Sequence, residues 1–282
     1  MAYDPVQARV VLFGGFGRSA LLNDTWVWNG TWAPMETTAS PEARSLHALA
    51  SQKTGVLLFG GSSFAQPGRL FGDTWELSGT SWVRRTSASS PPAREGHAMA
   101  FDPNRQGVLL FGGRNREGQE LGDTWLWDGS DWKELQPDAQ PRATDHGLIM
   151  VSDDSRKRIV LHGAEDASGS WEWDGTSWKW ARAKGLPLGW LRRGAYHPVR
   201  KALIVVIEKQ ERYVCETETW MWEGRTWTRV DSPTAQRPTF GTFAMAEDRA
   251  RGTIILFGGY RPVRGFLGKP DLVTCAETWL FR

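Results

Sequence analysis

Residues 108–132 read VLLFGGRNREGQELGDTWLWDGSDW. A β-branched and aliphatic run closes on a glycine pair. A polar loop follows, then Asp123-Thr124-Trp125, a turn at Asp128-Gly129, and Trp132. The run is too short for a helix and is bounded by glycine, which marks a buried strand. Asp-Gly between two strand-like runs is a strong hairpin signal, because a type I′ turn needs positive φ at both central residues. Upstream, His97-Ala98-Met99-Ala100-Phe101 turns through Asp102-Pro103 into the apolar run and supplies one more strand. The stretch and its approach therefore read as four consecutive antiparallel strands.

The same unit recurs along the chain. Apolar runs stand at 10–13, 56–59, 108–111, 159–161, 203–207 and 254–257, their starts 44–52 residues apart. Four of them end in Gly14-Gly15, Gly60-Gly61, Gly112-Gly113 and Gly258-Gly259, and a fifth in Gly163-Ala164. Each is followed by a tryptophan (Trp26, Trp75, Trp125, Trp171, Trp220, Trp279), and five units add another after the turn (Trp32, Trp82, Trp132, Trp178, Trp227). A fixed period of this length, four strands per unit and no helical periodicity point to an all-β, six-bladed propeller of four-stranded antiparallel blades. It forms one domain over 1–282, with units at approximately 1–34, 43–85, 93–135, 142–181, 190–230 and 239–282. Residue 1 aligns inside the first strand of unit one, and the chain stops after the third strand of unit six. Either that blade has three strands or the ring closes by face packing alone, and the seam is expected to fray first.

The order of aliphatic pair, Phe-Gly-Gly, aromatic segment and lone Trp resembles kelch repeats, as in bacterial kelch-like propellers and the central domain of galactose oxidase. The likeness covers nearly the whole chain and is best in units one to three. It implies a propeller in which the strand two-to-three loops and the inter-blade loops open on one face around a central channel. It leaves the activity open, since such propellers include scaffolds, lectin-like binders, oxidases, isomerases and iron-dependent lyase-like proteins.

Composition narrows the classes. A formal net charge of +2 gives no basic stripe for nucleic acid. No apolar run approaches the ~18 residues that span a bilayer, and no signal peptide is visible, so the expected location is cytoplasmic and the expected state a monomer. Two cysteines make no disulfide framework. The in-register tryptophans are read as filling the gaps between blades, and the glycine pairs as close backbone turns.

Candidate site residues are those at the expected mouth, because loops carried on a rigid scaffold do the binding. His47, His97 and His146 fall near the start of the first strand in successive units, with Arg44, Arg94 and Arg142 a few residues earlier. They are either repeat positions bonded to neighbouring loops or, for the histidines, a ring that could hold a divalent metal such as Zn or Fe. Convergence of three nitrogens to ~2.1 Å of one ion is demanding. The Glu-x-x-x-Asp-x-x-x-His pattern of the iron-dependent relatives is absent.

Unit five departs most from the repeat. Ile207-Glu208 stands in place of the glycine pair, and Trp190, Arg192 and Arg193 occupy the loop before it. Trp190 is the tryptophan outside the register and a candidate for stacking on a ligand. Tyr260 opens the longest two-to-three loop, rich in Gly, Pro, Arg and Lys, which suits a lid or contact surface. Cys215 and Cys275 fall on neighbouring loops of the same face and are a disulfide, reactive thiols or inert. Copper chemistry of the galactose-oxidase kind would need two tyrosine ligands, and the four tyrosines leave little room for it. The reading is a propeller binding a small polar molecule or peptide at the mouth. The alternatives are a metal-assisted isomerase, lyase or cyclase at the same place, and a structural interaction module.

Overall fold

The computed structural model describes residues 1–17, 19–63, 68–143, 147–163, 169–182, 192–211, 214–230, 240–264, 270–274 and 276–282, with backbone alone at 192, 208–211, 214–216, 240–242, 260–264 and 270–274. Blade 1 is β1 (Ala2–Asp4), β2 (Arg9–Phe16), β3 (Leu21–Trp28) and β4 (Trp32–Pro34). Blade 2 is β5 (Ala48–Gln52), β6 (Gly55–Phe59), β9 (Thr74–Ser78) and β10 (Ser81–Arg85), with the small pair β7 (Ser62–Ser63) and β8 (Arg69–Leu70) in its two-to-three loop. Blade 3 is β11 (Ala98–Asp102), β12 (Gly107–Phe111), β13 (Thr124–Trp127) and β14 (Trp132–Leu135). Blade 4 is β15 (Ile149–Asp153), β16 (Arg158–His162), β17 (Gly169–Trp173) and β18 (Trp178–Arg182). Blade 5 is β19 (Arg192–His197), β20 (Ala202–Glu211), β21 (Val214–Trp222) and β22 (Trp227–Arg229). Blade 6 is β23 (Phe240–Asp248), β24 (Thr253–Arg264) and β26 (Thr278–Phe281); β25 (Pro270–Thr274) pairs only with the far end of β24.

Every described sheet neighbour is antiparallel and follows chain order within its blade. The inner strands β1, β5, β11, β15, β19 and β23 contact one another in sequence, and β23 returns to β1. The six-bladed propeller expected from the repeat is thus the fold. The last blade has three strands, and the ring closes by packing blade 6 on blade 1. No strand is exchanged across that seam among the described residues.

The core sits in the gaps between blades, as a chain of separate apolar clusters. In five gaps an outer-strand tryptophan packs on the second strand of the preceding blade. The pairs are Trp82 on Phe13, Trp132 on Phe59, Trp178 on Phe111, Trp227 on His162 and Trp32 on Phe257, with ring centroids 5.2–5.8 Å apart. In four of these gaps the indole Nε1–H also donates to a threonine of the preceding blade: Trp82 to Thr25 at 3.0 Å, Trp132 to Thr74 at 2.9 Å, Trp178 to Thr124 at 3.1 Å and Trp32 to Thr278 at 2.8 Å. The recurrent Thr-Trp and lone Trp of the sequence are therefore two halves of one inter-blade joint.

At the foot of five of the six inner strands an acceptor caps the turn into the second strand. Oδ1 of Asp4, Asp102, Asp153 and Asp248 accepts backbone N–H groups two or three residues on. In blade 5 His197 takes that place, its Nδ1 accepting the Arg200 N–H at 3.2 Å.

Candidate functional site

The face reached by the inter-blade loops and the two-to-three loops is the upper mouth. There Arg44 and Arg94 are wholly buried. Arg44 makes a two-pronged pair with Asp73 (2.6 and 3.0 Å) and donates to the Glu42 and Gly60 carbonyls. Arg94 repeats this with Asp123 (2.6 Å on both prongs) and the Pro92 and Gly112 carbonyls. The aspartates also accept Trp75 and Trp125 Nε1–H. Against a burial penalty that would raise them, the arginine hydrogen bonds hold both carboxyls below the ordinary aspartate range. These staples tie the inter-blade loop to the two-to-three loop, and Asp-Thr-Trp supplies their acceptor. Gly61 lies under the loop they fix, since a Cβ there would meet the Ser45 oxygen at 2.7 Å.

Blade 4 shows no such arginine–aspartate staple among the described residues. Pro41, Pro91 and Pro141 are all buried at the loop entrance, and Ala93 and Ala143 pack alike on Gly72 and Gly122. That alignment sets Thr144 at the arginine position and Gly169 at the aspartate position. Arg142 stands two places earlier and is exposed.

His47 and His97 are inter-blade wedges, each edge-on to the phenylalanine of the preceding blade: Phe13 and Phe59, both at 5.5 Å. Burial, then cationic neighbours including Arg44 for His47 and Arg94 for His97, lowers each imidazole to about 3. Both rings are neutral at neutral pH. The strand register places Leu148, the residue before β15, at the position of His47 and His97. His146 is two residues upstream, outside the described residues. Among the described residues no group of three or more His, Cys, Asp or Glu could hold a metal ion.

Trp190 and Cys275 also lie outside the described residues. Arg192 begins β19, Cys215 faces Gln210 in the β20–β21 pairing, and Tyr260 pairs with Thr274 in β24–β25. Arg193 Nε donates to the Phe243 carbonyl at 3.2 Å, bridging blades 5 and 6. On these two blades the mouth changes form. β20 and β21 run on together through Glu211 and Val214, and β24 pairs through Arg264 with β25. Two antiparallel arms thus rise side by side where blades 2 and 3 have stapled loops.

The central channel holds a solvent-open pocket of about 100 Å³ lined by inner-strand residues of all six blades. Met99, Met150 and Met245 form one layer. Below it, Tyr3, Ser51, Phe101, Ser152, Tyr196 and Glu247 occupy equivalent positions, each opposite the first residue of its blade's apolar run. Glu247 accepts both Nε and Nη2 of Arg249 at 2.8 Å, and Arg249 Nη1 pairs with Asp154 at 2.8 Å. Burial pushes Glu247 up to about 7 despite Arg249. The sequence reading, directed at the upper mouth, passes over this lower end. The signal was present: with the inner strands aligned, Glu247 is the one carboxylate in its layer.

No protein-family model matches the chain, and no curated protein matches it. The class that fold and site define is a six-bladed β-propeller, a fold compatible with ligand or protein binding. No helix among the described residues is long and apolar enough to cross a membrane.

Proposed function

We propose that the protein is a kelch-like binding propeller that recognises a small polar molecule or a peptide at its upper mouth, on the side of blades 5 and 6. One observation carries the reading. In a ring of near-identical units, these adjacent blades replace the compact loop with paired arms, β20–β21 and β24–β25. Such arms extend the strands beyond the residues that form the described inter-blade cores, and function sits disproportionately in loops displayed by a rigid scaffold. In this reading Trp190, Arg192, Arg193 and Tyr260 contact the ligand, Arg142 stands on the rim, and Arg44 and Arg94 hold the loops that shape it.

The test is a thermal-shift screen of peptide and polar-metabolite libraries, followed by calorimetry on the hits. Trp190→Ala and Arg192→Ala should each weaken the best hit about tenfold, a loss of ~1.4 kcal/mol, while leaving Tm unchanged. If both variants lower Tm and leave affinity intact, these residues are packing and the reading fails.

A further inference from the structure

The cavity at the lower end of the channel is separate from the upper mouth and is built for a different task. A void needs roughly 10–15 Å³ to admit one water, and an engineered void of about 150 Å³ takes up benzene. About 100 Å³ therefore has room for a small organic molecule. Its upper part is thioether and aliphatic, its lower part ringed by Tyr3, Phe101 and Tyr196.

The polar groups at the lower end are unequally matched. Glu247 Oε1 takes both hydrogen bonds from Arg249, whereas Oε2 is buried and accepts none. An unpaired buried carboxylate oxygen is costly, so a donor belongs there. Charge points the same way. Arg249 is shared between Glu247 and Asp154, so two carboxylates face one guanidinium. The other nearby charges balance, since Asp248 is paired with Arg251, the α-amine of Met1, a residue lining the void, is lowered to about 5 by burial and then by Arg193 and so is neutral, and Tyr3 and Tyr196 are phenols whose pKa burial raises further. An anionic ligand would add a third negative charge. A neutral donor would leave the surplus uncompensated. A cation that also donates hydrogen bonds satisfies both, and the aromatic rings around it favour positive charge. Access is from solvent, because the Asp154 and Arg249 side chains are 42% and 35% exposed.

We infer that the lower end of the channel is a binding site for a small organic ammonium, its N–H groups on Glu247 Oε2 and its hydrocarbon body among Met99, Met150 and Met245. Binding requires the ionised carboxylate. Glu247, lifted to about 7 by burial, therefore couples occupancy to pH near neutrality, with Arg249, Asp154, Asp248, Arg251, Tyr3, Tyr196 and the Met1 α-amine as the charged or titratable groups around the void.

Methionine methyl NMR tests this directly, because four of the six methionines (Met1, Met99, Met150 and Met245) line the void while Met35 and Met221 do not. With ¹³C-methyl-methionine protein, n-butylammonium chloride at pH 8 should shift Met99, Met150 and Met245 saturably and leave Met35 and Met221 in place. Affinity should fall about tenfold at pH 6, where roughly nine-tenths of Glu247 carries a proton, and at least tenfold for the neutral alcohol 1-pentanol, which is one carbon longer and more apolar. Glu247→Gln should abolish the preference for ammonium over pentanol. Should that variant misfold, Asp154→Asn, which removes the surplus charge from the mouth, should weaken ammonium binding with the free spectrum unchanged. Absence of saturable shifts, or equal binding of pentanol at pH 8, overturns the inference. The upper-mouth reading is untouched by either result, since Trp190→Ala should have no effect on these shifts.

Discussion

At the scale of single residues, two sets of buried titratable groups pull stability in opposite directions with pH. His47 and His97 sit at about 3 in the fold against an ordinary value of 6.5. Between those values the unfolded chain binds more protons, so their contribution is complete above about 6.5 and is lost as pH falls. Glu247 rises from 4.5 to about 7; there the folded chain binds more protons, and its contribution is lost as pH climbs through 7. Urea midpoints measured from pH 4 to 8 should describe a hump, with His97→Gln flattening the acid limb and Glu247→Gln the alkaline one. A wild-type midpoint constant from pH 4 to 6 would show that the histidines are not shielded. The staples make a second prediction. Arg94→Ala strands the partly buried Asp123 carboxylate and should cost about 3 kcal/mol, as broken buried pairs do. The double change Arg94→Thr with Asp123→Gly copies blade 4, where both members are missing. It should cost less than the single change, measured by denaturant unfolding, because no charge is left alone. A double variant worse than the single would mean that the pair is net stabilising.

At the scale of elements, the inter-blade joint explains why tryptophan dominates the composition. The indole fills the gap, and its N–H closes on the neighbouring blade's threonine. Trp132→Phe keeps most of the packing and loses the bond to Thr74, so about 1 kcal/mol should go. Trp227 stacks on His162, but its buried Nε1 has no partner, because Ser170 is engaged by His162 Nδ1 at 3.1 Å. Trp227→Phe should therefore cost less than Trp132→Phe in the same unfolding assay; equal losses would show that the threonine bond contributes little. The elements were largely readable in advance, since Asn-Gly and Asp-Gly turns, glycine-closed runs and Thr-Trp pairs are local signals that recur in three, four and five of the six units. The additions to the expected strand set, β7–β8 and β25, lie in two-to-three loops, where no repeat constrains the chain. The site was less legible. Arg44 and Arg94 look like mouth residues until their aspartates, 29 positions away, are seen to bury them. His146 looks like a third member of a histidine series until the β15–β16 register places Leu148 there. Spacing in sequence does not report a one-residue insertion in a loop, and pairing does.

At the scale of the whole molecule, the ring is held by six gaps in series, and one of them is made differently. Between blades 6 and 1 the described strands meet by packing and side-chain hydrogen bonds, with no strand exchanged. Tyr3, Val10, Trp28, Ala246 and Ile255 form the core, with Trp32 on Phe257 and bonded to Thr278. Across every other gap the covalent chain also passes, so separating those blades does not release either end. At the seam, opening costs one cluster and the hydrogen bonds of Trp32 to Thr278 and of Arg251 to the Asn29 carbonyl, and is entropically rewarded by loosening β26 and β1. Among the described residues no fourth strand shelters β26, and Leu280 is 41% exposed. Native-state hydrogen exchange should show β26 and β1–β2 opening at lower free energy than β12–β13, whose residues 108–111 are wholly buried. Trp32→Ala should speed exchange in β1, β2 and β26 and leave β12–β13 at the wild-type rate at moderate denaturant. Its counterpart Trp132→Ala, inside the covalently continuous arc, should instead lower the global unfolding free energy, by ~3–5 kcal/mol. If Trp32→Ala and Trp132→Ala accelerate exchange uniformly around the ring, the propeller opens as a single unit and the seam is no weaker than its other joints.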